Sequence, residues 1–154
     1  MKVSTRGRYG LRAMVDIAAN AREGKCVSLS CVAKRQDISE SYLEQLVLPL
    51  RRAGLLKSIR GAQGGYETAR DPKDITVGDI LRAIEGPMSL VDCVSKAETC
   101  TLAKCGKCVA RDVWEKLSTS INEAADRITL AELADNYIKA NPDLECVGDN
   151  KELE

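Results

Sequence analysis

The chain contains no histidine and no phenylalanine, and a single tryptophan among its 154 residues. Without phenylalanine the core has to be aliphatic, built from Leu, Ile, Val, Ala and Met at helical spacing. With no histidine, no catalytic dyad and no pocket motif, the sequence does not read as an enzyme. No run approaches the roughly 18 apolar residues of a spanning helix, so no membrane partner is expected. The opening MKVSTRGRYG is charged and lacks both an apolar stretch and a small-residue cleavage site. That argues against a secretory signal and for a cytoplasmic location.

What the chain does have is seven cysteines and an uneven charge. In the cytoplasm thiols stay reduced, and clustered cysteines there read as metal ligands before disulfides. The formal net charge is zero, yet residues 1–70 hold 13 Lys/Arg against 6 Asp/Glu, and residues 71–154 hold 10 against 17. A cationic first half implies that this half faces a polyanion.

The apolar periodicity orders the chain. Leu11, Met14, Val15, Ala18 and Ala19 share one face of a helix over Tyr9 to Ala21. Ser28 stands as N-cap of a short helix from Leu29 to Gln36, with Leu29, Val32 and Ala33 inward. Ser39 caps a third helix reaching about Arg52, with Pro49 in its last turns and Gly54 at its C′ position. Two short β-like runs flank Gly61-Ala62-Gln63-Gly64-Gly65 and form a hairpin. Thr76 and Asp79 spell a capping box for a helix ending near Glu85. A long amphipathic helix from about Val109 to Ile128 carries Val113, Trp114, Leu117, Ile121, Ala124 and Ile128 as an apolar stripe, and Thr129 caps a last helix to about Ala140. The expected fold class is mainly α with a small β-hairpin wing. Its organisation is a winged helix–turn–helix DNA-binding head (1–87), a cysteine-rich loop (88–108), dimerisation helices (109–141) and a disordered acidic tail (142–154).

In this order the third helix is the one that enters a major groove. Its polar face offers Ser41, Tyr42 and Gln45, with Ser39 at its start; Ser and Tyr suit phosphates, and Gln can pair bidentately with adenine. Arg51 and Arg52 follow for backbone phosphate. In the wing, Arg60 precedes Gly61, Gly64 and Gly65, whose lack of side chains lets the tip approach a phosphate or the minor groove. Lys2, Arg6 and Arg8 add phosphate charge. The expected partner is therefore double-stranded DNA.

Cys93, Cys100, Cys105 and Cys108 fall within sixteen residues, spaced C-x6-C-x4-C-x2-C. Thiolates favour iron–sulfur clusters or zinc, and spacing alone leaves both open. Zinc sites usually carry two C-x2-C knuckles, and only Cys105/Cys108 has that form, so an irregular loop around a larger cluster fits better. Cys26 and Cys31 read as core or neutral, and Cys146 as a tail residue without a role.

The motifs S-T-R-G-R-Y-G-L (Ser4–Leu11), I-S-E-S-Y-L-E-Q-L (Ile38–Leu46), L-R-R-A-G-L-L (Leu50–Leu56), S-I-R-G-A-Q-G-G-Y (Ser58–Tyr66) and I-T-L-A-E-L (Ile128–Leu133) resemble the IscR-like family of winged-helix repressors, which includes NsrR and CymR. The resemblance covers nearly the whole chain except the tail. It implies a dimer built on crossed C-terminal helices, and a transcription regulator controlling iron–sulfur cluster biogenesis or related stress genes through a cysteine-held iron–sulfur cluster, [2Fe–2S] or [4Fe–4S]. It implies that Glu44 tunes which DNA sites the cluster-free protein accepts. Ligand roles carry over to Cys93, Cys100 and Cys108, the last lying six residues before Trp114. Some relatives use a histidine three residues later; here that position is Arg111. Others use a carboxylate from the partner's first helix, where this chain has Arg8. Cys105 is thus the candidate fourth ligand. Regulation by zinc, nitric oxide or a partner protein, and more remotely a small iron–sulfur electron carrier, are the alternatives.

Overall fold

The computed structural model describes residues 3–21, 24–95 and 108–142. Helices α1 (Thr5–Asn20), α2 (Leu29–Gln36) and α3 (Glu40–Arg52) are followed by strands β1 (Leu56–Ile59) and β2 (Gly65–Thr68). A 3-10 turn (Pro72–Asp74) leads to α4 (Val77–Glu85), α5 (Asp92–Ser95), α6 (Val109–Arg127) and α7 (Leu130–Ala140). The strands pair antiparallel with Leu56 opposite Thr68 and Ile59 opposite Gly65. Val27 adds a bridge on the far side of β2, exchanging both backbone hydrogen bonds with Tyr66 (2.9 and 2.8 Å). The mainly helical class with its hairpin is as the sequence predicts.

Five helix starts are fixed by a short polar side chain. Ser4, Ser28, Ser39, Thr76 and Thr129 all accept a hydrogen bond from a first-turn N–H, the role that makes Ser and Thr good N-caps. At α4 the box is reciprocal, because the Asp79 carboxylate accepts in turn from the Thr76 N–H (3.1 Å). Burial pushes the Asp79 carboxyl up, but the Thr76 N–H, Arg82 and the Thr76 hydroxyl outweigh it and hold it below the usual carboxylate range. Gly54, at φ 69°, stands in the left-handed conformation just past α3, where a glycine costs no steric strain.

Two expectations need correction. Helix α1 starts at Thr5 rather than Tyr9, because Ser4 caps it one turn earlier. Its buried face is also different: Ala13, Ile17 and even Asp16 are fully buried beside Met14, whereas Leu11 and Val15 are only half-buried. The reason is position. Helix α1 packs against α2, α3, α4, α7 and β2, so it is covered on several sides rather than along one stripe.

The core gathers Met14, Ile17, Val32, Leu43, Val47, Leu50, Leu55, Ile75, Ile80 and Leu130 from most of these elements. At about 1.5–3 kcal/mol for each large aliphatic side chain removed from water, this cluster is the main favourable term in folding. The end of α6 and the start of α7 are clipped to the α4 start by Val77 N–H to Ile128 O (3.0 Å) and Leu130 N–H to Ile75 O (2.8 Å). Helix α6 itself behaves otherwise. Only Ser118 and Ala125 are buried on it, while Val113, Trp114, Leu117 and Ile128 of its apolar stripe stay exposed, Leu117 at 45 % and Val113 at 50 %. No described helix is long and apolar enough to cross a membrane.

Candidate nucleic-acid interface and cysteine segment

Helix α3 buries Leu43, Leu46, Val47 and Leu50, and that spacing turns Ser41, Glu44, Gln45, Leu48 and Arg52 outward. Ser39 is exposed with them; its oxygen accepts the Tyr42 N–H (3.2 Å), which leaves its hydroxyl proton free for an acceptor such as a phosphate oxygen. Tyr42 is half-buried because its ring meets that of Tyr9 edge-on, centroids 6.0 Å apart. The guanidinium groups of Arg8 and Arg12 lie over the Tyr9 ring at 5.9 and 5.0 Å. The start of α1, with exposed Arg6 and Arg8, is thereby joined to the N-terminal turn of α3.

The wing carries Arg60 and Gly61 exposed at its tip. Gly61 has φ 129°, a conformation that side-chain-bearing residues rarely adopt. Gly64 and Gly65 have a structural reason of their own. A Cβ on Gly64 would lie 2.6 Å from the Ile59 carbonyl oxygen, and one on Gly65 would lie 2.5 Å from that of Val27. The tip is held from below by Cys26, whose thiol donates to the Gln63 carbonyl at 2.9 Å. Nothing in the spacing of the chain singled out that contact, which spans 37 residues.

A buried polar knot lies behind the helix–turn–helix. Asp16, fully buried on α1, accepts from Arg35 Nε (2.9 Å) and Nη2 (2.5 Å), from Gln36 Nε2 (2.8 Å) and from the Tyr137 hydroxyl (3.3 Å). Hydrogen bonding to Asp16 raises the Arg35 guanidinium further above its ordinary value, and burial, then the Asp16 charge, raises the Tyr137 phenol. One atom is left over: Arg35 Nη1 is buried without a hydrogen-bond partner among the described residues. Such an orphan costs on the order of 1–3 kcal/mol. Sequence patterning missed this knot, because an Asp inside an apolar stretch carries no periodic signal.

Of the four loop cysteines, Cys93 and Cys108 are described, and Cys100 and Cys105 lie outside the described residues. Cys93 sits on α5, which packs on α6, and Cys108 holds the N-cap position of α6. Both are half-buried free thiols. No side chain caps the α6 N-terminus, so its unpaired N–H groups and positive end lie at Cys108. Both cysteines are soft sulfur donors of the type that metal–sulfur groups take. Cys31 packs on the core as expected, but it is disulfide-bonded rather than a free thiol.

A three-helix head with an antiparallel wing, its recognition helix exposing short polar side chains, defines a winged helix–turn–helix DNA-binding transcription regulator rather than an enzyme. The comparisons agree. The model of the Rrf2 family, described as "Iron-dependent Transcriptional regulator", matches residues 3–136, and the chain belongs to that family. The HTH-type transcriptional regulator CymR of Bacillus subtilis is 45% identical over 134 residues, covering 87% of this chain and 90% of that protein. The solved structure of CymR (YrzC), titled the global cysteine regulator of B. subtilis, aligns with TM-score 0.73 and 41% identity over 88% of this chain and 98% of that one. The T. potens IscR structure aligns with TM-score 0.71 and 46% identity over 91% of this chain and 90% of the other.

Proposed function

We propose that the protein is a cytoplasmic, homodimeric regulator whose choice of operator is controlled by an iron–sulfur cluster held by Cys93, Cys100, Cys105 and Cys108. The observation that supports the sensing half is that α5, which carries the free thiol of Cys93, packs on α6, whose uncapped N-cap position is the free thiol of Cys108. When bound, such a cluster supplies a centre sensitive to oxidants, nitric oxide and iron supply.

The chain's own residues then have distinct tasks. Ser39, Ser41 and Tyr42 hold phosphates, Gln45 reads a base edge, and Glu44 beside them disfavours sites that lack a donor for its carboxylate. Arg52 of α3, Arg60 with Gly61, Gly64 and Gly65 in the wing, and Arg6 and Arg8 of α1 grip the backbone on either side. The bare stripe of Val113, Trp114 and Leu117 on α6 is covered by a second copy, which sets two recognition helices on a two-fold site. The segments are a DNA-binding head (1–87), a cysteine-bearing control segment (88–108), dimerisation helices (109–141) and an acidic tail (142–154).

The experiment is anaerobic purification and reconstitution of the full chain, with iron and sulfide analysis, a visible spectrum and selection of DNA sites with and without cluster. Cys93→Ser and Cys108→Ser are expected to come out pale and iron-poor. Wild-type protein that stays colourless and iron-free with its thiols intact would overturn the cluster. A second reading, control by cysteine supply or thiol state without metal, has in its favour the CymR match and the disulfide at Cys31. The same preparation decides it, because DNA binding would then respond to reductant in iron-free protein.

A further inference from the structure

We propose that the open cavity lined by α1, α2 and α7 is a binding site for a small organic carboxylate with an apolar tail. The site is separate from the functions assigned above, since none of its walls belongs to the cysteine segment or to the outward face of α3.

The cavity holds about 540 Å³, within the range of small-molecule sites. Leu11 and Val15 of α1 and Leu133 of α7 make it apolar on one side, and Arg12, Arg35 and Asn141 supply its polar groups. Leu11 and Val15 are the two residues that the helical pattern sends to the core and the fold leaves half-exposed. The side chain of Arg35 is only 7 % exposed, yet Nη1 has no partner among the described residues. Buried donors are ordinarily satisfied, so Arg35, which lines the cavity and keeps one guanidinium nitrogen without a partner among the described residues, is short of an acceptor.

Charge sets the class of that acceptor. Asp16 neutralises Arg35, and its oxygens are already engaged by Arg35, Gln36 and Tyr137. Arg12 brings a second cation, held by Gln36 through Nε to Oε1 (3.0 Å) and Nη2 to the carbonyl oxygen (3.2 Å). The three charges leave the site one positive charge, which matches a monoanion. Two guanidinium groups with a donor to spare complement the two oxygens of a carboxylate. Arg35 and Gln36 are also the last two residues of α2, directly before the left-handed Asp37 that turns the chain toward α3.

The test is calorimetric titration of the full chain with hexanoate and, as its uncharged counterpart, hexanamide. Hexanoate is expected to bind saturably, and hexanamide about tenfold more weakly or worse. Arg35→Lys keeps a cation for Asp16 while removing Nη1, and Leu133→Glu puts a repelling charge in the wall. Each is expected to weaken hexanoate about tenfold with an unchanged circular dichroism spectrum. If Arg35→Lys does not fold, the half-buried Leu133→Glu decides alone. Equal binding of acid and amide, or no saturation at millimolar hexanoate, would overturn the proposal. Binding seen only after Asp143→Asn and Glu145→Gln would also overturn it, by assigning the cavity to the chain's own acidic tail.

Discussion

Glu85, the last residue of α4, accepts two hydrogen bonds from Ser4 through one oxygen, from the backbone N–H at 3.0 Å and from the hydroxyl at 2.7 Å. Ser4 in turn caps α1, so the beginning of the DNA-binding head is fastened 81 residues away, just before the chain enters the cysteine segment.

That fastening makes Gly7 sensitive. In a helix interior, Gly→Ala ordinarily stabilises by about 0.5–1 kcal/mol. Here the added Cβ would overlap Glu85 Oε1. Gly7→Ala is expected to destabilise the wild type and to stabilise a Glu85→Ala background, a sign reversal readable from urea denaturation of the four proteins. Equal effects in both backgrounds would show that Glu85 does not hold this position.

Tyr137 predicts an alkaline limit. Burial first, and the Asp16 charge second, raise its phenol above the ordinary 10.0, so the fold prefers the neutral form. The stabilisation is complete below the unfolded value and lost as pH rises through the folded one. Wild type is therefore expected to lose more stability above pH 10 than Tyr137→Phe does. The phenylalanine variant should start lower at neutral pH by about 1–3 kcal/mol, the worth of the two hydrogen bonds its hydroxyl makes, to Asp16 and from Gln36. Parallel pH curves for the two proteins would contradict this.

If α3 and the wing form the proposed interface, Gln45 and Arg60 separate reading from gripping. Gln45→Ala is expected to cost about 1–3 kcal/mol at a specific operator and to relax preference at one base pair. Arg60→Ala should weaken binding to all sequences and lower the salt slope by about one. Fluorescence anisotropy at several salt concentrations distinguishes the two patterns. Unchanged site preference in both variants would place the reading surface elsewhere.

The sequence made some elements plain and hid others for physical reasons. Helix α2 has the bounds its cap and periodicity predict, and the Thr76–Asp79 box is reciprocal in space. These signals are local. The first turn of α1 was hidden, because Arg6, Gly7 and Arg8 follow no apolar rhythm and their cap, Ser4, is held by Glu85 across the fold. Helix α5 was hidden because four residues are too few for a period. The exposed face of α3 was legible from what Leu43, Leu46, Val47 and Leu50 bury. The Asp16–Arg35 knot and the Cys26–Gln63 contact were not, since each joins distant segments through polar atoms.

Arg82 of α4 reaches α6 at two levels, donating to Asn122 (3.2 Å) and to Asp126 (2.5 and 3.3 Å), while Gly78 leaves no room between α4 and Asp126. Two rungs on one ladder prevent slippage: neither helix can creep past the other without surrendering one of them. A displacement along α6 is therefore passed to α4 instead of being absorbed by sliding between the two.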